Sequence, residues 1–133
     1  MDVQETKDGR FVVMHDANLR HLTGVNQTPQ DLTLKELTNL TVTENGFQAP
    51  VCSFDSYLEK AHELNQKLLI EIKTSKKDSD DLVERFVQKY RKAILENHHI
   101  LQSLTYQTVS DLKEAEPNFY VAISCLSISL DHP

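Results

Sequence analysis

The sequence predicts an α/β fold built from parallel βα units. Three observations carry this expectation. From Leu68 onward the pattern alternates strand, helix, strand, helix, strand, which is the order of parallel βα units. The first of those strands, Lys67 to Lys73, is dense in apolar residues, as strands buried on both faces of a parallel sheet are. Three such strands plus the opening segment fall short of a closed eight-stranded barrel, which takes about 250 residues. The sheet is therefore expected to be either small and open or a piece of a barrel, with right-handed connections.

The elements follow in chain order. Asp2 to Thr6 and Arg10 to His15 are short β-prone runs flanking Lys7-Asp8-Gly9, a hairpin signal. Asp16 to Asp31 is a long polar stretch. Thr33-Leu34-Lys35-Glu36 is a capping box: the threonine can accept from the Glu36 amide while the glutamate reaches back. Leu34, Leu37 and Leu40 give the short helix behind it one apolar stripe. Gly46 to Val51 reads as a loop. Ser53 opens a second helix with Phe54, Tyr57, Leu58, Ala61 and Leu64 at helical spacing, ending near Asn65. After the Lys67–Lys73 strand and a polar turn from Ser75 to Asp81, a longer helix is expected from Leu82 to Asn97. Ile100 to Leu104 reads as a short strand, and Gln107 to Ala115 as a helix stopped by Pro117. Tyr120 to Leu130 is a last β-like run.

The bulk numbers suit one soluble domain. The chain has 133 residues, 39% hydrophobic and 26% charged, with a formal net charge of −6. That balance argues against a nucleic-acid surface, which needs clustered positive charge. It leaves room for metal-dependent phosphate chemistry, because a bound cation reverses the local sign. No apolar run approaches the roughly 20 residues of a membrane span, and no signal peptide opens the sequence. The 3 glycines, Gly9, Gly24 and Gly46, cannot form a glycine-rich phosphate loop. Cys52 and Cys125 lack zinc-ligand or CxxC spacing and read as buried thiols.

Few residues stand out as chemistry. Leu69, Glu71 and Lys73 share one face of their strand. A carboxylate and an amine thus lie near the strand's C-terminal end, where βα architectures keep their active sites. Burying both costs several kcal/mol unless they pair or bind something; a structural ion pair and a metal-phosphate site both satisfy this. His15 ends a β run and can act as general acid or base, or as a hydrogen-bonded structural histidine. Asp2 shares a face with Gln4, and with Glu71 it could supply oxygen ligands to a hard cation; fraying at the terminus is the plainer reading of Asp2. His62, His98, His99 and His132 read as helix-surface or loop residues. No trio suggests a serine or cysteine triad.

Together these pieces resemble the glycerophosphodiester phosphodiesterases. The run Asp2-Val3-Gln4-Glu5-Thr6-Lys7-Asp8-Gly9-Arg10-Phe11-Val12-Val13-Met14-His15-Asp16 is similar to that family's signature segment. The likeness continues through Asn18-Leu19-Arg20-His21-Leu22-Thr23-Gly24, Leu32 to Leu37, Leu69-Ile70-Glu71-Ile72-Lys73 and Leu101-Gln102-Ser103. It is looser over Tyr120 to Leu126. The residues from Glu5 to Leu19 resemble a bacterial subgroup whose catalytic domain follows membrane-spanning helices.

The resemblance implies a partial (β/α) TIM-type barrel, roughly strands 2 to 5, with residues 1–133 as one piece of a catalytic domain truncated at both ends. It implies Asp2 and Glu71 as ligands of a divalent cation, Mg²⁺ or Ca²⁺. His15 is implied as one of two catalytic histidines and Lys73 as a neighbour of the substrate phosphate. The family's His-Arg pair and the glutamate of its Glu-x-Asp motif would precede Met1. The expected reaction is hydrolysis of a small glycerophosphodiester to an alcohol and glycerol 3-phosphate, with no nucleic-acid partner and little activity in the isolated chain. Exposed barrel edges imply self-association. A related phospholipase-like phosphodiesterase and a non-catalytic barrel domain are the alternative readings. The whole protein is expected to be membrane-anchored, with these residues soluble.

Overall fold

The structure is a computed structural model and describes residues 1–124. Strands β1 (Asp2–Glu5) and β2 (Phe11–Val13) form the expected antiparallel hairpin, with Val3 opposite Val13 and Glu5 opposite Phe11. Gly9 closes the turn at φ +74°, and a Cβ there would meet Arg85 Nη1 at 2.7 Å. The polar stretch that follows contains α1 (Arg20–Thr23) and a 3₁₀ turn (Pro29–Asp31), anchored by the fully buried Leu19. Helix α2 (Leu34–Thr38) starts at the Thr33 box: the Glu36 amide donates to Thr33 Oγ1 at 3.2 Å, and the Thr33 amide donates to Glu36 Oε1 at 3.0 Å.

The segment read as a loop around Gly46 is instead half of a second hairpin, β3 (Thr41–Glu44) with β4 (Phe47–Pro50). The cause is Asn45-Gly46: both take positive φ, 51° and 82°, as a tight two-residue hairpin turn requires.

Next come β5 (Cys52–Ser53), α3 (Phe54–Glu63), β6 (Leu69–Ile72), α4 (Leu82–Glu96), β7 (Ile100–Ser103), α5 (Tyr106–Ala115) and β8 (Val121–Ile123). The expected last run, Tyr120 to Leu130, is a strand over Val121–Ile123, and its remainder from Cys125 lies outside the described residues, as does His132. Cys52 is half-buried rather than buried, and desolvation raises its thiol pKa.

The main sheet runs β5-β2-β1-β6-β7-β8, and the β1-β6-β7-β8 pairs are all parallel. This is part of a (β/α) barrel of the TIM type. Helices α3, α4 and α5 contribute to a core against one face, where Val3, Ile70, Ile72 and Leu101 meet Phe54, Phe86, Tyr90 and Leu112. Phe11 packs edge-on to Phe86 at 5.3 Å, and Phe54 edge-on to Tyr90 at 4.7 Å. Such pairs contribute about 0.5–1.5 kcal/mol beyond burial. Buried Glu5 accepts from Arg85 and from the Ser79 amide, tying the start of α4 to β1. A second cluster of Val12, Met14, Leu19, Leu37 and Val51 secures the connection after β2.

The other face of the parallel strands departs from expectation. Ile70 and Ile72 are buried, but Leu69 is 48% exposed and Ile100 37%. One face is covered by helices; the face that would line a barrel interior is open. No helix among the described residues is long and apolar enough to cross a membrane.

Candidate active site

Register builds the site. In the parallel β1–β6 pair, Asp2 stands opposite Glu71 and Val3 opposite Ile72. Opposed residues share a face, and alternate residues switch faces. Val3 and Ile72 enter the helix-covered core, so Asp2 and Glu71 take the open face together. Lys73 follows on that same side, its amide donating to the Val3 carbonyl at 3.0 Å.

The hairpin then returns the chain to Asp2. The Met14 amide donates to the Asp2 carbonyl at 3.1 Å. This places His15 Nε2 3.7 Å from Asp2 Oδ2, and His15 Nδ1 3.2 Å from Asp16 Oδ1. Lys73 Nζ donates to the His15 carbonyl. The four residues picked from sequence, Asp2, His15, Glu71 and Lys73, therefore gather at one place. Their environments differ: the His15 side chain is 77% exposed, that of Asp2 only 14%. Asp2 pairs with Glu71 on one side and its carbonyl accepts from the Met14 amide on the other, so it is not a frayed end.

The Asp2 pKa is raised, chiefly by burial and then by the charge of Glu71; His15, Lys73 and the terminal ammonium offset part of this. Glu71 Oε1 accepts from Ser124 Oγ at 2.8 Å and from Gln102 Nε2 at 3.3 Å. Two like-charged oxygen donors held side by side suit a hard divalent cation, whose charge would remove their repulsion. They make a partial set: among the described residues, no group of three or more His, Cys, Asp or Glu could hold a metal.

Glu71 and Lys73 open onto a cleft of about 310 Å³, lined also by Gln30, Thr74, Ser103 and Thr105. A larger hollow of about 710 Å³ lies between the segment after β6 and α5, where Asp78, Glu84 and Asp111 contribute to its wall. It includes none of the four gathered residues.

Sequence reading passed over Gln102 and Ser124. Gln102 was legible, since a parallel strand aligned with Leu69–Ile72 places it beside Glu71. Ser124 was not, because it follows a strand whose register no local pattern sets. His99, read as a surface residue, is only 3% exposed: its Nδ1 accepts from the Leu68 amide at 3.0 Å, and His62 stacks on its ring.

Comparison with known proteins agrees with this architecture. A glycerophosphodiester phosphodiesterase from Agrobacterium tumefaciens superposes with a TM-score of 0.76 at 22% identity, over 91% of this chain and 51% of that one. One from Parabacteroides distasonis gives 0.73 at 24% identity, over 92% and 49%. A phosphodiesterase from Oleispira antarctica, solved in complex with the product sn-glycerol-3-phosphate, gives 0.71 at 19% identity, over 98% and 57%. The chain thus spans about half the length of the solved structures it matches. No curated protein matches it. The model of the glycerophosphoryl diester phosphodiesterase family matches residues 1–127. The chain belongs to that family.

Proposed function

We propose that these residues form one part of a catalytic domain that hydrolyses glycerophosphodiesters to an alcohol and glycerol 3-phosphate. The observation that carries the reading is the Asp2–Glu71 register, with His15 Nε2 held 3.7 Å from Asp2. The family match and the product bound to the Oleispira antarctica phosphodiesterase support the substrate class.

Asp2 and Glu71 would hold the divalent cation, Mg²⁺ or Ca²⁺. Once bound, the cation would supply Lewis-acid polarisation of a phosphodiester oxygen. His15, with an exposed ring, would accept or return a proton at Nε2, and the adjacent Asp2 carboxylate would stabilise the imidazolium that results. Lys73, whose side chain lines the cleft, would set positive charge against the phosphate. In this reading the chain alone turns over little substrate, because no third metal-ligating side chain joins Asp2 and Glu71 among the described residues. Attachment to membrane-spanning helices belongs to the same proposal and rests on the sequence resemblance alone.

The test uses glycerophosphocholine and a protein of family length containing these residues, followed by phosphorus NMR during a Mg²⁺ and Ca²⁺ titration. Glycerol 3-phosphate and choline should appear, and a chelator should stop them. Release of phosphocholine and glycerol, or turnover indifferent to chelation, would overturn the proposal.

A further inference from the structure

We infer that Gln4 is the positioning residue of this site: its side-chain amide clamps the backbone on both sides of His15. The inference rests on the proposed role of His15, but its test does not need turnover.

Gln4 is 4% exposed and sits two residues after Asp2 on β1. Its Nε2 donates to the Met14 carbonyl at 2.8 Å and to the Asp16 carbonyl at 2.9 Å. Its Oε1 accepts from Gln30 Nε2 at 3.2 Å. Both donors and the acceptor are therefore used. The opposite orientation of the amide would turn Oε1 toward two carbonyl oxygens, so the bonding fixes one orientation. Lys73 holds the carbonyl of His15 itself. Three consecutive carbonyls, those of Met14, His15 and Asp16, are thus each held by a side chain from β1 or the end of β6.

This matters because little else holds His15. Its side chain is 77% exposed, and among the described residues its polar contacts are with Asp2 and Asp16. An exposed imidazole can keep one placement only if the backbone beneath it is fixed. A catalytic group must be held within fractions of an ångström by supporting hydrogen bonds. A glutamine with two donors aimed at two carbonyls is a costly choice for a buried strand position, where an apolar side chain would pack without partners. Gln30 anchors the clamp from the 3₁₀ turn and needs no contact with His15.

The test is backbone order of residues 15–17 in the 133-residue chain, read by ¹⁵N relaxation. Gln4→Met keeps the length and removes all three hydrogen bonds. It should lower the order parameters of residues 15–17 from about 0.85 toward about 0.6, leaving β6 and β7 unchanged. Gln30→Met retains both clamp donors and should leave residues 15–17 ordered. Gln4→Glu supplies a rescue: the ionised carboxylate faces two carbonyls and loosens the segment, whereas the protonated acid donates one hydrogen bond. Order at 15–17 should therefore recover on acidification in that variant, but not in Gln4→Met. Wild-type order in Gln4→Met overturns the clamp. So does melting of the whole sheet in both Gln4 variants, which would assign Gln4 to the core instead. If the clamp holds while His15 proves dispensable for hydrolysis, the functional reading fails and the clamp survives.

Discussion

Asp2 and Glu71 face each other in register across two parallel strands. That pairing forces two carboxylates together; burial raises the Asp2 pKa most, and the Glu71 charge beside it raises it further. A carboxyl whose folded pKa lies above its unfolded value holds its proton more tightly when folded. Stability from this group is full below the unfolded value of 3.8 and is lost as pH rises through the raised one. At neutral pH the pair is therefore a liability that a cation can relieve. Asp2→Asn should raise the melting temperature of the cation-free chain at pH 7. Wild type with Mg²⁺ or Ca²⁺ at about 100 times its dissociation constant should gain about 2.7 kcal/mol. Asp2→Asn and Glu71→Gln should each abolish most of that gain. Calorimetric melting scans decide this; an undiminished cation response in both variants would remove the pair as a binding site.

His15 and Glu71 should fail differently in the active protein. His15 lies beside Asp2 with its ring exposed, whereas Glu71 is half-buried and hydrogen-bonded by Ser124 and Gln102. Loss of a positioned acid or base costs about 10²–10⁴-fold in rate. His15→Ala should lower kcat by that order with cation affinity near wild type. Glu71→Ala should shift the cation titration to higher concentration, so that excess Mg²⁺ or Ca²⁺ restores part of the rate. Unchanged kcat in His15→Ala excludes the histidine from proton transfer.

The gathering of Asp2, His15, Glu71 and Lys73 was largely legible because its determinants are local or periodic. Asp2, Glu71 and Lys73 follow strand parity, and His15 follows the hairpin that Asp8-Gly9 turns. The capping box at Thr33, the helix start at Ser53 and the helix end near Asn97 also read from the sequence. What stayed hidden depends on distant partners. His99 looks like a polar residue at a helix end, yet the Leu68 amide and the His62 ring, from other parts of the chain, bury it. The open face of β6 was misread for a related reason: apolar density in Leu69–Ile72 reports what a whole barrel would cover, and Leu69 meets no such cover in the described residues.

His99 gives the chain an acid-sensitive contact beneath β6. Its Nδ1 accepts from the Leu68 amide, so a proton on that nitrogen displaces the amide; its Nε2 lies 3.0 Å from His62 Nε2. Burial, then the His62 charge, lowers its pKa below 6.5. The unfolded chain thus binds the proton more readily, and stability falls as pH drops from 6.5 through the lowered folded value. His99→Asn can keep an acceptor for the Leu68 amide without titrating. Its melting temperature should fall less than that of wild type between pH 7 and pH 5. Equal losses in the two proteins would clear His99 of the effect.

The exposed side of the sheet should drive association. Leu69 and Ile100 are partners across the β6–β7 ladder, 48% and 37% exposed, and together they present an apolar strip on the open face. Contiguous apolar surface of this kind favours burial against another surface, at about 25 cal/mol per Å² removed from water. Isolated chains have one another as the available surface, and of the charged residues on this face Glu71 lies farther along β6 and Asp2 on the neighbouring β1. Sedimentation of the 133-residue chain should therefore show a concentration-dependent rise in mass. Leu69→Lys with Ile100→Lys should suppress it without lowering the melting temperature much, since neither side chain belongs to the helix-covered core. The same pair of substitutions should damage a protein of family length, where that face would line the barrel interior. A monomeric wild-type chain across the concentration range would show that the strip is too small to bring copies together, and the double variant would then leave the sedimentation profile unchanged.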